Sequence, residues 1–330
     1  LEPDAVTQWL REGLGRDPGA LQITKFPRGV SRETWLVHCE AGEFTIRQDL
    51  PGGSVDPIPL RHEYEVYRRL AQPGGPVPVA RPLWYTEVGP AGRPAYAREQ
   101  VEGDWRIAGW PDPEVRRQAG MEHLRRLAAL HTCDWAALGF GEIFDVPASA
   151  QDCAPLAVEY FAAAIREHRV EPMPIVSEAI AHFRAEAQRF PAPRISLCKG
   201  TNGLGEEVWR DGRIVAMSDW ELSRLCDPAY DLAQCQDLLW DEAEALRYYN
   251  DISGIGVTAD HVAFYRRLYS LVMFSFTNHA TQCLIERGDR NARLAWVGTE
   301  MSHVATLRMA FAAGFEPKSE SRGTIAQGGR

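Results

Sequence analysis

The sequence predicts an α+β protein in two lobes, a small antiparallel sheet with one helix followed by a larger, mostly helical part. Three observations carry this expectation. The chain has 330 residues, more than one small core usually serves. Short alternating runs rich in β-branched and aromatic residues, separated by Gly/Pro turns, fill the first hundred positions. Beyond Gly103 the apolar residues recur at helical spacing instead. The change of texture at residues 100–103 divides the chain into 1–102 and 103–330, with a cleft between lobes, a favoured place for a ligand.

The elements follow in order. Residues 3–14 place Val6, Trp9, Leu10 and Leu14 on one helical face. Thr34 to His38 and Glu43 to Arg47 alternate as strands around the turn Glu40-Ala41-Gly42. Pro51 to Pro59 reads as a loop, and Leu60 to Leu70 as a helix with Leu60, Tyr64, Tyr67 and Leu70 on a shared face. Val77 to Tyr85 and Pro94 to Val101 are two further strands. Helices are expected at Pro113 to His131, Leu156 to His168, Ile175 to Phe190, Ala229 to Leu239, Ala259 to Arg287 and Asn291 to Phe315. Ile195 to Ala216 reads as short strands and loops, and the polar, Gly-rich stretch 316–330 as a mobile tail.

Composition removes several classes of function. The net charge of −9 argues against a nucleic-acid partner, which calls for a basic stripe. No apolar run approaches the ~18 residues of a membrane span, and Leu1 to Asp4 does not open a signal peptide. The seven cysteines, Cys39, Cys133, Cys153, Cys198, Cys226, Cys235 and Cys283, form no C-x-x-C pair, which suits reduced thiols in a cytoplasm. His261, His279 and His303 lack the spacing of a zinc site.

Chemistry-bearing residues cluster in two places. Pro27 to Thr34, with Gly29, precedes a strand; Arg47 ends the next strand, and Glu63 on the following helix is placed to pair with it. The second place is Ile195 to Leu232, where Lys199-Gly200-Thr201 precedes Glu206 and Glu207, and Met217-Ser-Asp-Trp-Glu221 precedes Asp227-Pro-Ala-Tyr-Asp231-Leu. This second segment resembles the aminoglycoside-phosphotransferase-like family, a branch of small-molecule kinases with a protein-kinase-like fold. Gly29 to Trp35, Leu60 to Leu70, Pro94 to Gly103 and Leu127 to His131 extend the resemblance over most of the chain.

The resemblance implies roles residue by residue. Gly29 and Ser31 would cover nucleotide phosphates, Arg47 would contact phosphate and pair with Glu63, and the backbone of Glu99 to Val101 would meet an adenine. Asp219 would hold magnesium, Asp227 would cap the next helix, and Asp231 would tie that helix to the catalytic loop. ATP and magnesium are the implied cofactors, and a small hydroxylated molecule the partner. Two positions depart from the family pattern. Its base Asp is Thr201 here, and its metal-binding Asn is Glu206. A threonine is no proton acceptor near pH 7, whereas Glu206 retains oxygens for a metal.

Three readings follow. An atypical kinase relies on positioning and metal electrostatics, with Glu206 or Glu207 taking the base role. A repurposed lyase, dehydratase or isomerase uses Lys199, its pKa lowered by burial, with Glu206 as an acid–base pair, and needs neither ATP nor metal. A pseudokinase binds a nucleotide or other ligand without catalysis. Two residues near the loop read as structural: His131 as a helix-end cation, and Cys198 as a buried strand thiol rather than one activated by Lys199.

Overall fold

The structure is a computed structural model and describes residues 1–26, 31–51, 59–168, 172–203, 205–238, 240–287 and 292–315. Gly29, residues 52–58 of the expected loop and the tail 316–330 lie outside the described residues.

The first lobe is a five-stranded antiparallel sheet of order β1-β2-β3-β5-β4, made of β1 (Leu21–Lys25), β2 (Arg32–Cys39), β3 (Gly42–Asp49), β4 (Pro82–Thr86) and β5 (Ala95–Glu99). Strand parity assigns its two faces. The register sets Val37 opposite Phe44 and Ile46 opposite Ala97, and these residues form one core with Val6, Trp9 and Leu10 of α1 (Pro3–Leu14). Proline in its first turn opens that helix, and Gly15, at φ 67°, closes it by donating its N–H to Arg11 O. The opposite parity carries Thr34, Leu36, Thr45, Arg47 and Tyr96 toward the other face, where α2 (Leu60–Leu70) packs Val66 and Tyr67 against Tyr96. One residue of phase therefore decides that Arg47 faces α2 and the cleft rather than α1.

The second lobe is mainly helical. Asp112 caps α3 (Pro113–Thr132) by accepting from Glu114 N at 2.8 Å. The helices α4 (Cys153–Glu167) and α5 (Pro174–Ala187) follow. Two small antiparallel ladders come next: β6 (Ser196–Cys198) pairs with β9 (Arg224–Cys226), and β7 (Glu207–Arg210) with β8 (Arg213–Met217). The chain continues through α6 (Ala229–Leu232), α7 (Glu242–Ser253), α8 (Ala259–Arg287), α9 (Ala292–Trp296), a π-turn over Val297–Met301 and α10 (Ser302–Ala312). One large core joins α3, α4, α5, α7 and α8 through Leu127, Phe161, Phe183, Tyr249 and Phe264.

Several expectations are revised. The strand β1 and the helix α7 were not anticipated, and the helix expected over 229–239 stops at Leu232, resuming as a 3₁₀ turn at Gln236–Leu238. Close approach of α3 shapes that turn: a Cβ on Gly120 would stand 2.2 Å from Leu238 O. The strand expected from Val77 begins only at Pro82. All seven cysteines are free thiols, and among the described residues no helix is long and apolar enough to cross a membrane.

Candidate active site

A cleft of about 520 Å³ opens between the α2-facing side of the sheet and the β7–β8 ladder. Ser31, Arg47, Glu63, Glu99, Val101, Glu206 and Asp219, all singled out from the sequence, line it. Lys199 and Thr201 do not; they lie in the loop beneath.

The sheet side is built around Glu63, which is buried. Its carboxylate receives Arg32 Nη1 at 2.8 Å and the Tyr96 hydroxyl at 2.9 Å, and pairs with Arg47 Nε at 3.3 Å. Burial alone would raise its pKa; Arg47 and Arg32 outweigh that and hold it below the usual value. The Arg47–Glu63 pair is the one the sequence led us to expect. Arg32 and Tyr96 were not anticipated, because only the register brings them onto α2. Arg47 also donates to Thr34 Oγ1 at 3.0 Å and to Glu221 Oε2 at 2.9 Å, and Ser31 Oγ donates to the same Glu221 oxygen at 2.8 Å. Glu221 thus joins the second lobe to the sheet.

Beneath the cleft, Asp231 organises the loop. It is fully buried and accepts from the backbone N–H of Lys199 and of Gly200, both at 2.7 Å, from Asn202 Nδ2 at 2.9 Å, and pairs with His131 Nε2 at 2.9 Å. Burial pushes its pKa up, but the His131 contact and the two N–H groups prevail and hold it below the usual value. His131, also bonded to the Tyr249 hydroxyl at 2.7 Å, orients this acid. Asp227 accepts from Ala229 N at 2.8 Å at the start of α6. Gly200 sits at φ 88°, and a Cβ there would stand 2.2 Å from Leu222 O, so this turn requires glycine.

Lys199 is completely buried. Its ammonium binds Glu207 Oε1 at 3.2 Å and donates to the Thr201 carbonyl. Burial would lower its pKa, but Glu207 foremost, then Asp219, Glu206 and Asp231, raise it, so Lys199 is a fixed cation. The acid–base reading needs the opposite direction, and the close ion pair runs to Glu207. Burial pushes the Glu207 carboxyl up to about 7, against the pull of Lys199. His123 stands beside it, its Nδ1 3.8 Å from Glu207 Oε1, and burial and then Lys199 lower its pKa to about 3, which keeps it neutral. The Thr201 hydroxyl is buried without a hydrogen-bond partner among the described residues. The Cys198 thiol is buried in β6 and pushed up by desolvation, so it is inert. Asn202 and His123 were missed by the sequence reading, since neither matches a motif and both are placed by α3 and Asp231.

Asp219 ends the β7–β8 ladder side of the cleft at φ 64°, a left-handed conformation that costs an L-residue free energy and concentrates at functional sites.

This arrangement parallels the sequence resemblance, and comparison with known proteins settles the family. The family model of the phosphotransferase enzyme family matches residues 22–255. The chain belongs to the phosphotransferase enzyme family. A curated relative, acyl-CoA dehydrogenase family member 10 of Mus musculus, is 24% identical over 248 residues; the match takes in 71% of this chain, which spans only 22% of that protein's length. Among solved structures, a candidate aminoglycoside phosphotransferase from Ralstonia eutropha superposes with a TM-score of 0.68 at 22% identity, covering 94% of this chain and 98% of that one. A thermostable mutant of aminoglycoside phosphotransferase APH(4)-Ia, in ternary complex with AMP-PNP and hygromycin B, gives 0.61 at 14% identity, covering 96% and 99%. A macrolide 2′-phosphotransferase from Brachybacterium faecium gives 0.58 at 17%, covering 93% and 98%. At these identities the structural matches establish the kinase-like fold alone.

Proposed function

We propose that this member of the family transfers the γ-phosphoryl group of ATP to a hydroxyl of a small metabolite. The observation that carries the proposal is a single cleft holding a cation buttressed by a buried acid, Arg47 on Glu63, and an acid in a strained backbone conformation, Asp219. The relative bound to AMP-PNP and hygromycin B supports a nucleotide and a small acceptor here as well.

The residues have distinct tasks in this reading. The backbone of Glu99 to Val101 meets the adenine; the Val101 amide bonds to no described residue and is open to an acceptor atom. Arg47 exchanges Glu221 for phosphate, which frees Glu221 and Ser31 together. Asp219 and Glu206 would hold magnesium: both offer carboxylate oxygens, the donors that ion takes, and both line the cleft. Magnesium, when bound there, neutralises charge on the phosphate oxygens. Thr201, beneath the cleft with its hydroxyl buried, accepts no proton. Glu207 lines the same cleft and, with a proton affinity near neutrality, takes up the acceptor's proton. A loose phosphoryl-transfer transition state asks little of that base and much of positioning.

The test is ³¹P NMR of the protein with ATP, magnesium and pools of hydroxylated metabolites. A new phosphate-ester resonance that needs magnesium and vanishes in Asp219→Asn is expected. Nucleotide binding without any ester in the pools, or an ester that persists in Asp219→Asn, overturns the proposal.

A further inference from the structure

A second cavity, of about 480 Å³, lies beside β9 and shares no lining residue with the nucleotide-side cleft. Its walls come from α4 (Leu156, Ala157, Tyr160), the start of α2 (His62), the turn at Phe144 and, from β9, Arg224.

Arg224 differs from most half-buried or buried arginines near the site; Arg98, bonded to the Tyr67 hydroxyl and stacked over its ring, shares its lack of a carboxylate among the described residues. Arg32, Arg47 and Arg69 each meet a carboxylate. Among the described residues none pairs with Arg224, and its Nε is buried without a hydrogen-bond partner. Its guanidinium carbon instead lies 4.2 Å from the Tyr160 ring centroid, 4.5 Å from Phe161 and 5.6 Å from Tyr230. Such a stacked cage fixes the plane of the fork, and a fixed planar fork suits a bidentate carboxylate or phosphate. The Tyr230 hydroxyl beside it is buried and also lacks a partner among the described residues. The cavity's own acids do not supply the missing charge. Glu142 is exposed and engaged by Arg69 at 2.8 Å, and Asp145 is exposed. Ser223 has its hydroxyl turned to the backbone, 2.6 Å from Trp220 O and 3.2 Å from Lys199 O.

We propose that this cavity binds an organic anion, a carboxylate or a phosphate monoester, with its charged end on Arg224 and its carbon body against Leu156, Ala157 and Phe144. The volume is that of a small-molecule site. The inference does not depend on phosphoryl transfer, and its test needs no nucleotide.

Calorimetric titration of the full chain with 4-hydroxyphenylacetate and with phenyl phosphate, against neutral 4-hydroxyphenylacetamide, decides it. Both anions are expected to bind and to compete with each other, and the amide to bind about tenfold or more weakly, as loss of a charge-assisted pair requires. Arg224→Met should erase the preference for anions, Arg224→Lys should weaken it several-fold by losing the fork, and Arg47→Met should leave it unchanged. Equal binding of the amide, no binding of either anion at millimolar concentration, or unaltered binding in Arg224→Lys would overturn the proposal. So would loss in Arg47→Met, which would place the anion in the other cleft. If Arg224→Met fails to fold, the amide comparison and Arg224→Lys still separate these outcomes.

Discussion

Replacing Lys199 by methionine probes the buried charge under the loop. The substitution keeps the carbon stem and removes the ammonium, leaving Glu207 buried with no cation in contact and the Thr201 carbonyl without its donor. Breaking a buried pair from one side costs about 3–5 kcal/mol. For 330 residues, at roughly 2 cal/mol/K of unfolding entropy per residue, that is a fall in Tm of about 4–7 °C. The deficit must also depend on pH. The folded-state pKa of Glu207 is raised from 4.5 to about 7, so the folded protein binds more protons than the unfolded chain in that window and stability falls as pH rises through it. In the parent protein the fall stops near pH 7, where Glu207 ionises beside Lys199. Without Lys199 nothing comparable opposes burial, Glu207 keeps its proton longer, and the deficit widens by up to about 1.4 kcal/mol per pH unit above neutrality. Thermal melts of Lys199→Met from pH 6 to 9 measure this, and Lys199→Met/Glu207→Gln should recover at least half the loss at pH 8. A deficit below about 1 kcal/mol, or one that stays flat across that range, would refute the buried-pair reasoning.

Three other outcomes follow from the same geometry. Asp219→Gly relieves a left-handed backbone at φ 64°, so Tm should hold or rise by the equivalent of about 1 kcal/mol while ATP-dependent ester formation disappears; a marked loss of stability would contradict the strain. Arg47→Met leaves Glu63 with Arg32 and Tyr96, so chemical denaturation should register only about 1–3 kcal/mol lost. Asp231→Asn should cost about 3 kcal/mol at pH 7, and because Asp231 titrates below its ordinary 3.8, its contribution is present above that value and lost as pH falls through the folded one. The gap between variant and parent melts should therefore narrow in acid, and a gap that stays constant as the pH falls below 3.8 would count against it.

Much of the scaffold was legible in the sequence because it is written in local period. The helix α1 announces itself by Val6, Trp9 and Leu10, and the β2–β3 hairpin by alternation around Gly42. The edge strand β1 was missed because it pairs on one side only and buries little of itself. The helix α7 was missed because only Ala245 and Tyr249 on it are buried, too sparse a stripe to see. The candidate site divides the same way. Arg47 and Glu63 could be matched because β3, which runs on past Arg47 to Asp49, and α2 are neighbours in the chain. That Lys199 would pair closely with Glu207 depends on which side of β7 that side chain leaves, and on Asp231 gathering the loop from 32 residues away. Arg224 carried no motif at all; its meaning lies in the rings around it and in the lack of a carboxylate partner among the described residues.

The claim on which the account turns is that the cleft between Arg47 and Asp219 receives a magnesium-bound nucleotide. Calorimetric titration with ATP, with and without magnesium, measures it. Binding that strengthens with magnesium and is lost in Arg47→Met is expected; no heat with ATP under either condition, or equal binding in Arg47→Met, would contradict the account.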